Sequence, residues 1–357
     1  MRLFKYISIL AVTALGAYFL FFRDNPYQEI SGRTFGTYYN VKIRTEHKNR
    51  LLLQKIKNEL EQINAEMSVF EPGSEINNIN DAAAGQPIDL SDNMSDVMRS
   101  AREVYRLTEG SFDPTVGQLV DLWGFGAGRH ADIPTDEQIK ETLKTVGFNK
   151  LSFSDNYKTL QKNNRSLMLN LSAIAKGYAV DRIALLLKQE GYQNFVIDIG
   201  GEIYASGEKS DANKGWNIGI AVPKLDNAPE QNAAVIRLRN MAVATSGDYR
   251  NYYYKDNKRY SHTISPQTGY PVEHNLASAT VFDTTCMRAD ALATAFMAMG
   301  EKKGLVFADK NKIAVIFFVR NENNEIRMIA SQKTRELLDE YEILPPAENR
   351  HPGRRIK

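Results

Sequence analysis

The residues best suited to chemistry lie between Ala244 and Met299. Two polar, turn-rich segments, Ala244 to Tyr252 and Arg259 to Gly269, carry His262, Arg250, Arg259 and several hydroxyls. Their composition predicts that neither folds as a buried element. Then comes Ala289-Asp290-Ala291-Leu292-Ala293-Thr294-Ala295, a small-residue helix whose polar side chains, Asp290 and Thr294, sit four apart on one face. Hard oxygen ligands on a rigid helix, beside donors for an anion, point to a magnesium–phosphate site. That favours phosphoryl-type chemistry over a thiol-based redox or hydrolytic centre. The blander alternative is a solvent stripe on an Ala-rich helix, but alanines on several faces predict burial. A buried carboxylate needs a partner, and a cation is the most direct one.

A second candidate is the run Ser172-Ala173-Ile174-Ala175-Lys176-Gly177. Small residues let a ligand approach the backbone, a helix start capped by Ser172 leaves N–H groups free, and Lys176 adds a full charge. The same residues would equally make a capped core helix with a solvated Lys. His262 has three open roles: general base, phosphate contact or structural hydrogen-bonder. Zinc is disfavoured, since the five His form no H-x-x-x-H pair and the E-x-x-H from Glu348 to His351 falls in a polar tail. No G-x-S-x-G elbow, Walker A or G-x-G-x-x-G occurs. Gly200-Gly201 is a lone glycine pair. Phe35, Phe70 and Phe112 sit in polar, Gly-rich contexts, where core packing and stacking on a planar ligand are both open.

These residues need elements to hold them. Apolar spacing predicts a helix over Leu51–Met67 with Leu52, Ile56, Leu60, Ile63 and Met67 inward, and another from Ser91 to about Leu107. Val69 to Asp81 is polar, with a turn at Pro72-Gly73. Further helices are expected over Thr135–Val146 and from Ser172 to about Glu190, stopped by Gly191. Strand patterns occupy Thr37–Thr45, Phe195–Ile199, Glu202–Ser206, Trp216–Ala221, Ala234–Leu238, Ala242–Thr245, Ala277–Phe282 and Ile313–Val319, with short strands before Asn170. Clustered strands interrupted by helices, without βαβ regularity, predict an α+β fold of mixed or antiparallel sheets flanked by helices. It is expected as one compact domain over residues 34–340, after a linker at 25–33 and before a polar basic tail at 341–357.

Composition sets outer limits. With 357 residues, 43% hydrophobic and 25% charged, the chain has ample core, and its net charge of +2 gives no field to recruit nucleic acid. A single cysteine, Cys286, excludes an internal disulfide and a multi-Cys metal site. Arg2 and Lys5 precede an apolar run from Tyr6 to Phe22, the pattern of an export signal near the short limit for a span. Residues 1–24 are read as an uncleaved anchor with the body outside the cytoplasm, at the periplasmic face of the inner membrane, a cleaved signal being the alternative.

Taken in order, several segments resemble the ApbE family of flavin transferases. They are Phe35-Gly36-Thr37-Tyr38, Met67 to Ile76, Phe112 to Gly117 with Leu122 to Gly126, Leu171 to Asp181, Gly200-Gly201-Glu202, and the Ala244–Thr294 constellation. Any one motif is weak; the ordered set, from about Thr34 to Val319, is specific. The resemblance implies a T-fold-related architecture and a magnesium-dependent enzyme that takes FAD as substrate. It would move FMN onto a Thr or Ser hydroxyl of a partner protein and release AMP. By motif position, Asp290, Thr294 and the Ala173 carbonyl would ligate the metal. Phe35, Phe70, Ser111, Phe112, Asp113, Asn170, Lys176 and Ile264 would contact FAD, and His262 would activate the acceptor hydroxyl. Expected acceptors are exported respiratory or electron-transfer flavoproteins.

Three positions depart from the family pattern: Asn170 and Ser265 stand where Asp is usual, and no lipid-attachment Cys lies near the N-terminus. Two other readings stay open: an FAD pyrophosphatase yielding FMN and AMP, and a non-enzymatic exported flavin-binding protein.

Overall fold

The computed structural model describes residues 26–127, 132–210, 215–223, 232–248, 252–256, 258–323, 325–340 and 343–344. The expected anchor at Tyr6–Phe22 lies outside the described residues, as do Tyr249, Arg250 and Asn251 of the first polar segment and the expected tail at 341–357, except that Ile343 and Leu344 form a short strand paired with Ile236 and Val235. No described helix is long and apolar enough to cross a membrane.

One sheet of eight strands organises the fold: β1 (Tyr27–Thr34), β2 (Thr37–Arg44), β3 (Phe195–Ile199), β4 (Glu202–Ser206), β5 (Met241–Gly247), β6 (Leu276–Asp283), β7 (Ala314–Arg320) and β8 (Ile326–Ala330). They lie side by side in chain order, each antiparallel to the next. The architecture is therefore α+β, as expected, and the main sheet is antiparallel rather than mixed. Seven helices enter between its strands, α1 (Leu51–Met67), α2 (Glu75–Asp81), α3 (Asp92–Leu107), α4 (Gly117–Leu122), α5 (Asp136–Leu143), α6 (Ala175–Gln189) and α7 (Cys286–Lys310), and α8 (Gln332–Glu340) follows the last.

Both faces of this sheet are covered, which explains why β6 and β7 are buried along nearly their whole length rather than at alternate residues. Period two sorts the side chains: Ala242 and Ala244 join the large core beneath α1, α3, α6 and α7, whereas Val243 turns to the opposite cluster. There it meets Trp216, Ile218 and Ile236 of a smaller sheet, and Leu337 of α8. A third cluster of Leu119, Trp123, Ile139, Tyr260 and Ile264 joins α4 and α5 to a two-stranded ribbon, Tyr252–Lys255 with Lys258–Ser261.

Three expectations are corrected. Residues 27–34 are strand β1 rather than linker, paired to β2 over its whole length, with Gln28 and Ile30 buried. The segment from Ala244 is not a surface turn: its first four residues finish β5, where small side chains let α7 lie close on the sheet. Val69 to Asp81 contains α2, begun by Ser74, whose hydroxyl accepts the Asn77 N–H.

Candidate active site

Asp290 lies one turn into α7 and is 2% exposed, amid the fully buried Ala289, Ala291 and Ala293. The burial inferred from the alanine pattern therefore holds, and the carboxylate has partners. Its Oδ2 accepts the Gly177 N–H at 3.0 Å, and its Oδ1 lies 3.7 Å from the Lys176 ammonium. Lys176 also meets Glu202 Oε1 at 2.8 Å. The β3–β4 turn delivers Glu202 through Gly200, where φ is +63° and a Cβ would stand 2.7 Å from Thr37 Cγ2. Thr294, one turn beyond Asp290, shares a hydrogen bond of 3.1 Å with Ser246 of β5.

Two buried carboxylates thus share one ammonium. Burial works against the charge on Lys176, but Asp290 and Glu202 outweigh it and hold its pKa above the ordinary lysine value. Burial pushes both carboxyls upward, with Lys176 opposing the rise, and the second carboxylate adds to the rise at Glu202. Glu202 Oε2 is buried without a hydrogen-bond partner among the described residues. With both carboxyls ionised the cluster would carry one net negative charge, and Asp290, Glu202 and Thr294 offer it hard oxygens. That donor set fits a magnesium ion. Among the described residues, no group of three or more His, Cys, Asp or Glu is disposed to hold a metal. One carboxylate with a hydroxyl and a carbonyl is the sparse set with which Mg²⁺ keeps waters and phosphate oxygens as further ligands.

Ala173 precedes α6 in the turn that links this cluster to the next candidates. Ser172 does not cap the helix; it is exposed, and the N-cap position falls to Ile174, which has no side-chain cap. The reason is the turn itself. Asn170 Oδ1 accepts the Ser172 N–H, and the Leu171 carbonyl accepts from Ile174 and Ala175, so helical bonding starts later. Asn170 therefore makes the turn an Asp would make. Its own N–H reaches the Pro114 carbonyl at 2.7 Å, bringing the Ser111-Phe112-Asp113 loop alongside. The Gly177 amide, expected to be free for an anion, is taken by Asp290.

Ser111, Phe112, Asp113 and Ile264 are 4%, 2%, 6% and 6% exposed. Phe112 is core, so its ring is not a platform for a planar ligand. Asp113 accepts from the Thr115 amide and hydroxyl and from the Phe148 amide. Burial nevertheless leaves its pKa raised. The aromatics fit for stacking are Phe35 and Phe70. Phe35 holds a left-handed backbone (φ 49°) at the β1–β2 turn, uncommon for an aromatic residue, and lines a cavity of about 610 Å³ with Asn64 and Glu71. Phe70, next to Glu71, is 65% exposed.

His262 directly follows the ribbon strand Lys258–Ser261 and meets Phe125 edge-on, with ring centroids 6.3 Å apart. The ribbon is moored by Asp248, just beyond β5, which binds Arg259 and Arg320. Ser265 accepts the Thr268 N–H within its own turn. Glu202, Ser246 and Asp248 were not singled out from the sequence. A glutamate straight after Gly200-Gly201 was the available signal for the first; the other two lay in a segment read as surface turn.

The ApbE family model matches residues 35–317. An FAD:protein FMN transferase of Vibrio cholerae is 39% identical over 306 residues, 84% of this chain and 90% of that protein. One from Escherichia coli K12 is 32% identical over 315 residues, 87% of this chain and 88% of that protein. The solved flavin transferase ApbE of Vibrio cholerae superposes with a TM-score of 0.79 at 36% identity, over 87% of this chain and 98% of that one. The apo flavinyl transferase ApbE of Pseudomonas stutzeri gives 0.78 at 33%, over 87% and 96%.

Proposed function

This chain belongs to the ApbE family and is a flavin transferase, and we propose that it moves FMN from FAD onto a Thr or Ser hydroxyl of a partner protein, with Mg²⁺, releasing AMP. The observation that carries the reading is the buried cluster in which Asp290 and Glu202 share Lys176 beside Thr294. A divalent ion there would offset the carboxylates, and a dinucleotide pyrophosphate would supply the oxygens that such an ion lacks.

In this reading Asp290, Thr294 and the Ala173 carbonyl hold the cation. A bound Mg²⁺ there neutralises the phosphate oxygens as negative charge develops on them. Lys176 binds a phosphate oxygen with a full positive charge in a water-poor setting. Phe35 and Phe70 cover the flavin ring, while Ser111, Phe112, Asp113, Asn170 and Ile264 form the wall behind the nucleotide. His262 takes the proton of the acceptor hydroxyl. The freed oxygen bonds to the phosphorus on the FMN side. The bond from that phosphorus to the bridging oxygen breaks, and AMP leaves with the bridging oxygen.

The basic flank and apolar run over Arg2–Phe22 support an exported enzyme held at the periplasmic face of the inner membrane. Acceptors there would be respiratory or electron-transfer subunits bearing a reactive Thr or Ser. The test is to incubate the protein with FAD, Mg²⁺ and a Thr-bearing acceptor, then measure AMP and in-gel flavin fluorescence. A fluorescent acceptor with AMP is the expected result. Free FMN with AMP would assign hydrolysis instead, and neither product would overturn the enzymatic reading.

A further inference from the structure

We propose that Asp181 is a positioning residue for the cation site, acting through a reciprocal cap in which α6 and α7 each supply a carboxylate to the other's N-terminus. The inference rests on the reading that Asp290, Thr294 and the Ala173 carbonyl hold the cation, and it concerns a residue outside that set. Asp181 lies in the second turn of α6. Its Oδ1 accepts the Cys286 N–H at 2.8 Å and its Oδ2 the Met287 N–H at 2.9 Å. These are the first two amides of α7, whose N-cap residue Thr285 makes no side-chain cap. The opposite bond runs from the Gly177 N–H of α6 to Asp290 of α7, and α6 likewise lacks a side-chain cap at Ile174.

The two bonds follow one antiparallel register: 177 faces 290, and 181 faces 286. Gly177 makes the approach feasible, because a Cβ there would stand 2.4 Å from the Cys286 carbonyl oxygen. Helix N-termini present unpaired amides and a partial positive charge, so each carboxylate satisfies donors and dipole together.

The arrangement bears on chemistry because the site's ligands are split between the two helices. The Ala173 carbonyl precedes α6, whereas Asp290 and Thr294 ride on α7. Their spacing is set wherever α6 is locked to α7. Of the two locks, Asp290 also has to face the cation; Asp181 does not. Asp181 can therefore hold the first turn of α7 whatever Asp290 binds, and losing a group that orients metal ligands commonly costs about 10–100-fold in affinity.

The experiment compares wild type, Asp181→Ala, Asp181→Asn and Leu337→Ala, the last a core truncation on the far side of the sheet. Amide hydrogen exchange is read at Cys286, Met287 and Gly177. Mg²⁺ half-saturation is read with FAD bound, and FAD affinity in chelator. Asp181→Ala should speed exchange at all three amides by about fivefold or more, the loss of a cap, including Gly177, which Asp181 does not touch. Mg²⁺ half-saturation should rise about tenfold, with FAD affinity in chelator unchanged. Asp181→Asn, which keeps one acceptor oxygen, should fall between. Unchanged exchange at Gly177 in Asp181→Ala would overturn the proposal, as would an equal Mg²⁺ shift in Leu337→Ala. If wild type shows no Mg²⁺ dependence at all, the cation reading fails, and exchange at Gly177 still decides the cap.

Discussion

Replacing Asp248 by Ala removes the counterion of two partly buried arginines, and its effect follows from the geometry. Asp248 Oδ2 accepts from Arg259 Nη1 at 2.7 Å and Arg320 Nη1 at 3.0 Å, while Oδ1 accepts from Arg320 Nη2 at 2.8 Å. Arg259 also donates to the Asp248 carbonyl. The two arginines are 22% and 11% exposed, and the Nε of each has no hydrogen-bond partner among the described residues. Three charge-assisted bonds at about 1.5–3 kcal/mol each would suggest a loss above 4 kcal/mol, but such terms are not additive. Breaking a buried ion pair by truncating one partner costs about 3–5 kcal/mol, which is the better guide here. Against a total stability of about 5–15 kcal/mol the variant should still fold. Urea unfolding with an unchanged slope would give the difference directly. Because Arg259 lies three residues before His262, transfer to the acceptor should fall more steeply than FAD affinity. A midpoint shift equivalent to less than about 1 kcal/mol would refute the reasoning and mark the pairs as solvent-screened.

Other outcomes follow from the same geometry. His262→Ala should keep FAD affinity and lose transfer by about 10²–10⁴-fold, checked by titrating FAD fluorescence beside the in-gel assay; undiminished transfer would remove His262 from the mechanism. Gly177→Ala should destabilise by about 1–3 kcal/mol in thermal melts, since its Cβ would push on the Cys286 carbonyl, and should raise the Mg²⁺ requirement. Acid should act through Asp248. Burial pushes its carboxyl up, but Arg320 and Arg259 outweigh this and hold it below the ordinary value of 3.8. Its contribution is then fully present above that value and is lost as pH falls through the lower, folded-state pKa. Denaturant midpoints measured down the acid range should therefore drop in wild type and flatten in Asp248→Ala.

Much of the scaffold was legible. Leu51–Met67 buries the five residues its period marked, because one apolar stripe of about 3.6 residues has a single way to face a core. Ser91 caps α3 through the Met94 N–H, a signal contained within four residues. Reading failed where distant partners decide. Strand β1 carries Ser31-Gly32 and charged residues because it lies at the sheet edge, so its composition imitates a linker. The end of β5 is small and polar because α7 rests on it and Thr294 bonds to Ser246.

The site shows the same division. Asp290 and Thr294 were marked by spacing on one helix, and Lys176 by its place at another. Their convergence depends on contacts more than 100 positions apart, such as Gly177 with Asp290. Glu202 is placed by the local Gly200-Gly201 hairpin between β3 and β4, but it reaches Lys176 only because α6 packs against those strands. Phe112 is a mixed case: core packing and stacking on a ligand were both open for its ring, and the side chain is core.

The central claim is that a cation bound at Asp290 carries the pyrophosphate chemistry. Calorimetric titration of Mg²⁺ into FAD-bound protein, wild type against Asp290→Asn, tests it most directly. The account expects a saturable site in wild type and an affinity weakened by about tenfold or more in the variant. Equal Mg²⁺ binding by the two proteins would contradict it.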